Sequence, residues 1–215
     1  MVNAELINEF VELTLLNERI RGKGFNFSRF KQLNLEEMYF YARDHLTSLG
    51  VGSARTVWVL SSSKALKIAR FTDVERGRAQ NEEEFTISKN SETKQIIARV
   101  IDNDHEFSWL ISELVRPILM QEFHRAIGMK FDDAMYLISR LSNEKLAIDD
   151  RASLLGEFHA STKAKAFIQS IIEFVKQSSL VLDDITTIDH WGKTTDGRIV
   201  ILDYGYTINV AQKHY

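Results

Sequence analysis

The chain has 215 residues, 44% of them hydrophobic, with a formal net charge of −3. That length can bury one core or two small lobes sharing a cleft, and the charge gives no general drive toward nucleic acid or an anionic membrane. Cysteine is absent, which excludes disulfides and thiolate metal sites.

In chain order, Leu6, Phe10, Leu13 and Leu16 recur at helical spacing and predict an amphipathic helix over 3–19. Two glutamates and no basic leader precede its apolar stretch, so it does not read as a signal peptide. Arg19, Arg21 and Lys23, interleaved with Gly22 and Gly24, read as a solvated loop. A second helix is predicted over 34–47, with Asn34 as N-cap and Glu36 and Glu37 in its first turn. The texture changes at Gly50. "RTVWVL" and "KALKIAR" are β-prone runs joined by "SSS", a hairpin reading. Residues 74–89 are charged and helical. "QIIARVID" and "FSWLISELV" then form a strand pair around "NDHE", and Pro117 follows as a natural hinge.

Helices are expected again over 118–128, 131–142 and 149–178, with Asp149 and Asp150 placed as N-cap and first-turn acid of the last. The final 35 residues return to strand and loop, with a hairpin closing on "TTDG". The organisation is α+β. It divides into a helical extension (1–47), a small antiparallel sheet with one helix (48–116) and a helical part ending in the hairpin (117–215). No apolar run approaches the roughly 18 residues that span a bilayer, so neither a membrane nor nucleic acid is an expected partner and the location reads as cytoplasmic.

Several stretches carry residues able to do chemistry. In "LGVGSARTV", Gly50, Gly52 and Ser53 could bring backbone N–H groups close to phosphate oxygens, or could be an ordinary turn. Strand alternation places Lys67 on the face of Ala65 and Ala69, with room to enter a cleft or to guard a sheet edge. A buried lysine needs a carboxylate, and Glu82 or Glu84 could supply it from the following helix, though not both. Asp184, Asp189, His190 and Asp203 surround the terminal hairpin. The 189–190 end and Asp203 would share one end of it, as a hard-oxygen site for magnesium bridged by phosphates or as capping and turn residues. Two look-alikes fail. "GKT" at 192–194 lacks the upstream glycine of a phosphate loop, since position 187 is Thr, and the calcium-loop spacing from Asp102 to Glu113 puts Phe107 where glycine is required.

Taken in order, these pieces resemble a protein-kinase-like fold over about 48–207. "GVGSARTV" resembles the glycine-rich loop, with Arg55 in place of its third glycine. "ALKIA" resembles the strand of the phosphate-binding lysine, "NEEEF" the helix of its glutamate partner, and "WLISELV" the strand entering the interlobe hinge. "DYG" stands where kinases have Asp-Phe-Gly. More narrowly, "LGxGSxRxVxxLSSxKxLKIA", "AQNExE" and "DHWGKTxDGRxVxLDYG" are similar to small kinase-like proteins of tailed bacteriophages.

The resemblance implies a minimal bilobal kinase-like fold with a truncated C-lobe, binding ATP and Mg2+. Gly50, Gly52, Ser53, Lys67, Glu84, Glu113 and Val115 would contact the nucleotide. Lys67, Asp184 and Asp203 would be catalytic, and Asp203 with Asp189 or His190 would hold the metal. The pattern departs from kinases in the sequence before Asp184, in Asp189 or His190 at the asparagine position, and in the ten residues after Gly205, too few for a peptide-docking lobe. It therefore also implies an alternative, a pseudokinase that binds a host or phage protein.

Overall fold

A computed structural model describes residues 24–90, 93–142 and 148–214. The helix expected over 3–19 and the Arg19–Lys23 cluster lie outside these residues.

The alternating run after Gly52 forms β2 (Arg55–Ser61), which turns into β3 (Lys64–Ala69), while β1 (Thr47–Val51) flanks it. With β4 (Val100–Asn103) and β5 (Trp109–Glu113) they make an antiparallel sheet in the order β1-β2-β3-β5-β4. Strand β3 is central, paired Val57↔Lys67 on one side and Lys67↔Leu110 on the other. Being central explains its burial from Ala65 through Ala69, lysine included.

Period-two alternation divides β3 between two neighbours. Leu66 and Ile68 face one way, into a core with Trp58, Trp109 and Ile111. Onto that face pack α1 (Phe27–Phe30) and α2 (Leu35–His45), through Phe30, Met38 and Tyr41. Each such buried side chain contributes about 1.5–3 kcal/mol. Asn34 caps α2 in a reciprocal box with Glu37, as its sequence predicts. The helix stops at His45, two residues before the predicted end, because Leu46 is already extended toward β1. The short α1 falls where the sequence reads as loop.

The opposite face of β3 meets α3 (Val74–Lys89), on the predicted residues. Gly77 allows this approach, since a Cβ there would lie 2.6 Å from the Ala54 carbonyl oxygen and 2.7 Å from the Ala69 Cβ.

Beyond β5 the chain runs through β6 (Arg116–Pro117) into α4 (Met120–Ile127) and α5 (Phe131–Leu141). Pro117 is not in an open linker: it pairs with Gly192 of β7 (Trp191–Lys193), which continues to β8 (Ile199–Ile201). Ile97 bridges to Ile201, so the two sheets are stitched together at this point. The single helix predicted over 149–178 is two, α6 (Ile148–Glu157) and α7 (Thr162–Ser178). The break falls at His159, which takes a left-handed φ of 49°, and Ser161 then caps α7 through the Ala164 N–H. The second core gathers Phe123, Phe131 and Trp191 edge to face. The expected terminal loop instead ends in α8 (Ile208–His214), which packs against α3.

The molecule is therefore α+β: an antiparallel sheet with its lysine on the central strand and its glutamate helix behind, then a reduced, mainly helical part carrying the terminal hairpin. This is the kinase-like layout that the motifs imply.

Candidate functional site

The site forms where α3, β3 and the end of β8 meet. Glu84 lies on the buried side of α3 at 0% exposure, whereas Glu82 is exposed, so the geometry selects Glu84 as the lysine's partner. The Lys67 ammonium lies 2.8 Å from each Glu84 carboxylate oxygen and donates a third bond, also 2.8 Å, to the Leu202 carbonyl. All three of its donors are thus spent, which is what burial of an ammonium requires.

Arg55 joins this pair from β2, on the same sheet face. Its side chain is 4% exposed. One terminal nitrogen contacts both Glu84 Oε1, at 2.9 Å, and Asp203 Oδ1, and the other donates to Asn81 Oδ1 at 3.3 Å. Asn81 is itself buried and donates to the Phe107 carbonyl at 2.8 Å. The sequence reading treats Arg55 as a loop departure and passes over its side chain. The same alternation that placed Lys67 would have found it, because Arg55 pairs with Ala69, two residues on from Lys67.

Asp203 is brought beside Lys67, with its side chain half-exposed. Burial works to raise its pKa, but Arg55 and Lys67 outweigh it and hold the carboxyl well below the usual range. Asp184 lies in the same field. Burial, and then the nearby Asp203 carboxylate, push it up to about 6, against opposing pulls from His190 and Arg55. His190 Nδ1 is 3.7 Å from Asp184 Oδ1 and also contacts the Asp184 backbone carbonyl. Asp184 and His190 therefore lie together, with the Asp203 carboxylate near enough to bear on both. Asp189 is exposed on the short turn before β7.

Gly50, Gly52 and Ser53 are exposed around the β1–β2 turn. The turn closes through Gly52 N–H to the Arg55 carbonyl at 2.8 Å, and Arg70 donates to the Gly52 carbonyl at 3.2 Å. Glu113 sits at the end of β5, where its carboxylate takes both oxygens into an ion pair with Arg198, at 2.9 and 2.8 Å. Val115 is buried with Ala98 and Val200.

The donor set does not fit a magnesium ion as it stands. Asp203, the carboxylate meant to hold it, already has Arg55 on one oxygen. A magnesium ion bridged by phosphates needs only one or two carboxylates, so the arginine on Asp203, and not the number of acids, is what stands against it.

No family model and no curated protein matches the chain. Among solved structures it is similar to the streptomycin–ATP ternary complex of APH(2")-IIa, at 14% identity over 80% of this chain and 72% of that one, with a TM-score of 0.41. It is also similar to the ADP-bound aminoglycoside phosphotransferase APH(2'')-Ib, at 13% identity over 80% and 71%, with a TM-score of 0.40. A third is SAICAR-synthase from Saccharomyces cerevisiae complexed with SAICAR, at 10% identity over 74% and 73%, with a TM-score of 0.36. At TM-scores this low the likenesses carry no argument about activity.

Proposed function

We propose that the chain binds the phosphates of a nucleotide, ATP in the reading its motifs imply, beside Lys67, and that the site is arranged for phosphoryl transfer. The observation that supports this most is the Lys67 ammonium, fixed by both oxygens of a fully buried Glu84 within the field of Asp203. Holding a cation so firmly next to a half-exposed acid suits a polyanion whose charge must be placed and neutralised, the main demand of phosphoryl transfer. The turn carrying Gly50, Gly52 and Ser53 would cover the phosphates. Asp184 would take the proton of the acceptor hydroxyl, and a carboxyl poised near 6 is matched to that task. Val115 and the backbone of Glu113 would meet the base, since the Glu113 carboxylate is committed to Arg198.

The Arg55–Asp203 ion pair favours a second reading, a nucleotide-responsive or ligand-free binding module without turnover. Thermal melting with ATP and with ADP, in wild type and Lys67→Ala, tests the first. At ligand about a hundredfold above its dissociation constant the wild type should gain about 2.7 kcal/mol and the variant far less. No gain with either nucleotide at millimolar concentration removes the nucleotide reading. A gain without any ATP turnover supports the binding module.

A further inference from the structure

We propose that Arg55 is a built-in cation for Asp203, holding the place that a divalent ion would need and keeping such ions out of the folded site. Arg55 is fixed on three sides. It contacts Glu84 Oε1 at 2.9 Å, Asn81 Oδ1 at 3.3 Å and the Asp203 carboxylate, and it is almost wholly buried. Asn81 is anchored in turn on Phe107, so the guanidinium is braced from behind.

Within the ion-paired set, which leaves Asp184 outside, the charges close without an ion. Lys67 and Arg55 supply two positive charges, and Glu84 and Asp203 supply two negative ones. A divalent ion at Asp203 would share the carboxylate with a guanidinium that cannot lose its proton and would be repelled by it at close range. Swinging Arg55 away is no escape, because it would also strip a partner from the buried Glu84. An arginine with one carboxylate could be an incidental ion pair. One that spans two carboxylates, one buried and one at the mouth of the site, is placed to decide what else reaches the outer one.

The inference deepens the nucleotide reading, and what it says of the charge that phosphates would meet beside Asp203 rests on that reading. The cation exclusion itself is testable without nucleotide, so either can fail alone. Mn2+ would be titrated into the full chain and the free ion followed by its electron paramagnetic resonance signal, with thermal melting alongside. Wild type should bind weakly. Arg55→Gln should bind about tenfold or more tightly, as expected for removing a unit charge at contact distance. It should also melt lower than wild type and recover in Mn2+. Adding Asp203→Asn to it should abolish both gains. Arg55→Lys keeps a charge and supports folding, but it has no second nitrogen to hold Asn81 while the first meets the carboxylates, so its affinity should fall between wild type and Arg55→Gln. It decides the matter where Arg55→Gln does not fold. Equal Mn2+ affinity in wild type and the folded variants overturns the proposal, as does a gain that survives Asp203→Asn.

Discussion

Lys67 on β3 and Glu84 on α3, seventeen residues apart, meet with both carboxylate oxygens 2.8 Å from one ammonium. Because Arg55 leans on the same carboxylate, Glu84 serves two buried cations at once. Replacing it by glutamine leaves both short of charge. Glu84→Gln should cost about 3–5 kcal/mol in a urea titration, the range for breaking a buried pair from one side. Lys67→Met/Glu84→Gln should be less damaging than the sum of its single variants, because the second change removes a charge the first left stranded. Strict additivity in that cycle would mean the two groups are not coupled.

Asp184 makes a pH-dependent contribution of a definite sign. Its pKa rises from 3.8 to about 6 on folding, through burial and then the nearby Asp203. Between those values the folded chain holds more of this proton than the unfolded one, so stability falls as pH rises through the window and levels off above it. Asp203 is shifted the opposite way, so its contribution is present above the unfolded value and is lost as the medium becomes more acid. Melts from about pH 5 to 7, compared between wild type and Asp184→Asn, therefore report on Asp184. Asp184→Asn should flatten the fall and gain about 2 kcal/mol at neutral pH. If Asp184 is also the acceptor's base, the same variant should lose roughly a hundredfold or more in turnover. A more stable protein with undiminished turnover would leave the carboxyl without a chemical role.

Two glycines set the position of α3 and, through it, of Glu84. A Cβ on Gly205 would lie 2.4 Å from the Gln80 carbonyl oxygen, and one on Gly77 2.6 Å from that of Ala54. Both obstacles are backbone, so neither can step aside alone. Gly205→Ala and Gly77→Ala should each cost about 1–3 kcal/mol, the usual price of overpacking. Any nucleotide-induced thermal shift should shrink with them, although neither residue carries a charge. Gly156 supplies the control, since nothing lies within 4 Å of a Cβ there. Gly156→Ala, within α6, should hold or slightly raise the melting point through helix propensity and leave the ligand response as it is.

How much of this was legible beforehand follows from what each residue depends on. The limits of α3, the β2–β3 hairpin and the capping of α2 rest on neighbours within a few positions, and the sequence displays those. Lys67 could be placed on a face because alternation is local. Its choice of Glu84 over Glu82 was not decidable, because it depends on the roll of α3 against the sheet, which is set by Gly77 against Ala54 and Ala69. The break at His159 depends on a single left-handed residue that is not itself a glycine, and the one glycine nearby, Gly156, still lies within α6. The Arg55–Asp203 contact spans 148 positions and joins a residue read as a departure from the glycine-rich loop to one read as a metal ligand. The sequence singles out the acid but not the arginine, and gives no reason to pair them.

Glu113 offers the last test, because its location at the end of β5 is shared by two explanations. As a nucleotide contact it would lie along the strand entering the hinge. As a structural residue it clamps β5 to the terminal hairpin through Arg198, which also donates to the Lys94 carbonyl at 3.1 Å and to Asp196. The Arg198 side chain is only 12% exposed, so the clamp is sheltered from solvent. Arg198→Ala should cost about 2 kcal/mol, in the range for hydrogen bonds to a charged group, and Glu113→Gln somewhat less, because the amide keeps one acceptor. With the carboxylate committed to the clamp, Glu113→Gln should leave nucleotide affinity within about twofold once its lower melting point is allowed for. Calorimetric titration with ADP distinguishes the two. An unchanged melting point with lost affinity would mean that the carboxylate turns to the ligand and that Arg198 is dispensable to it.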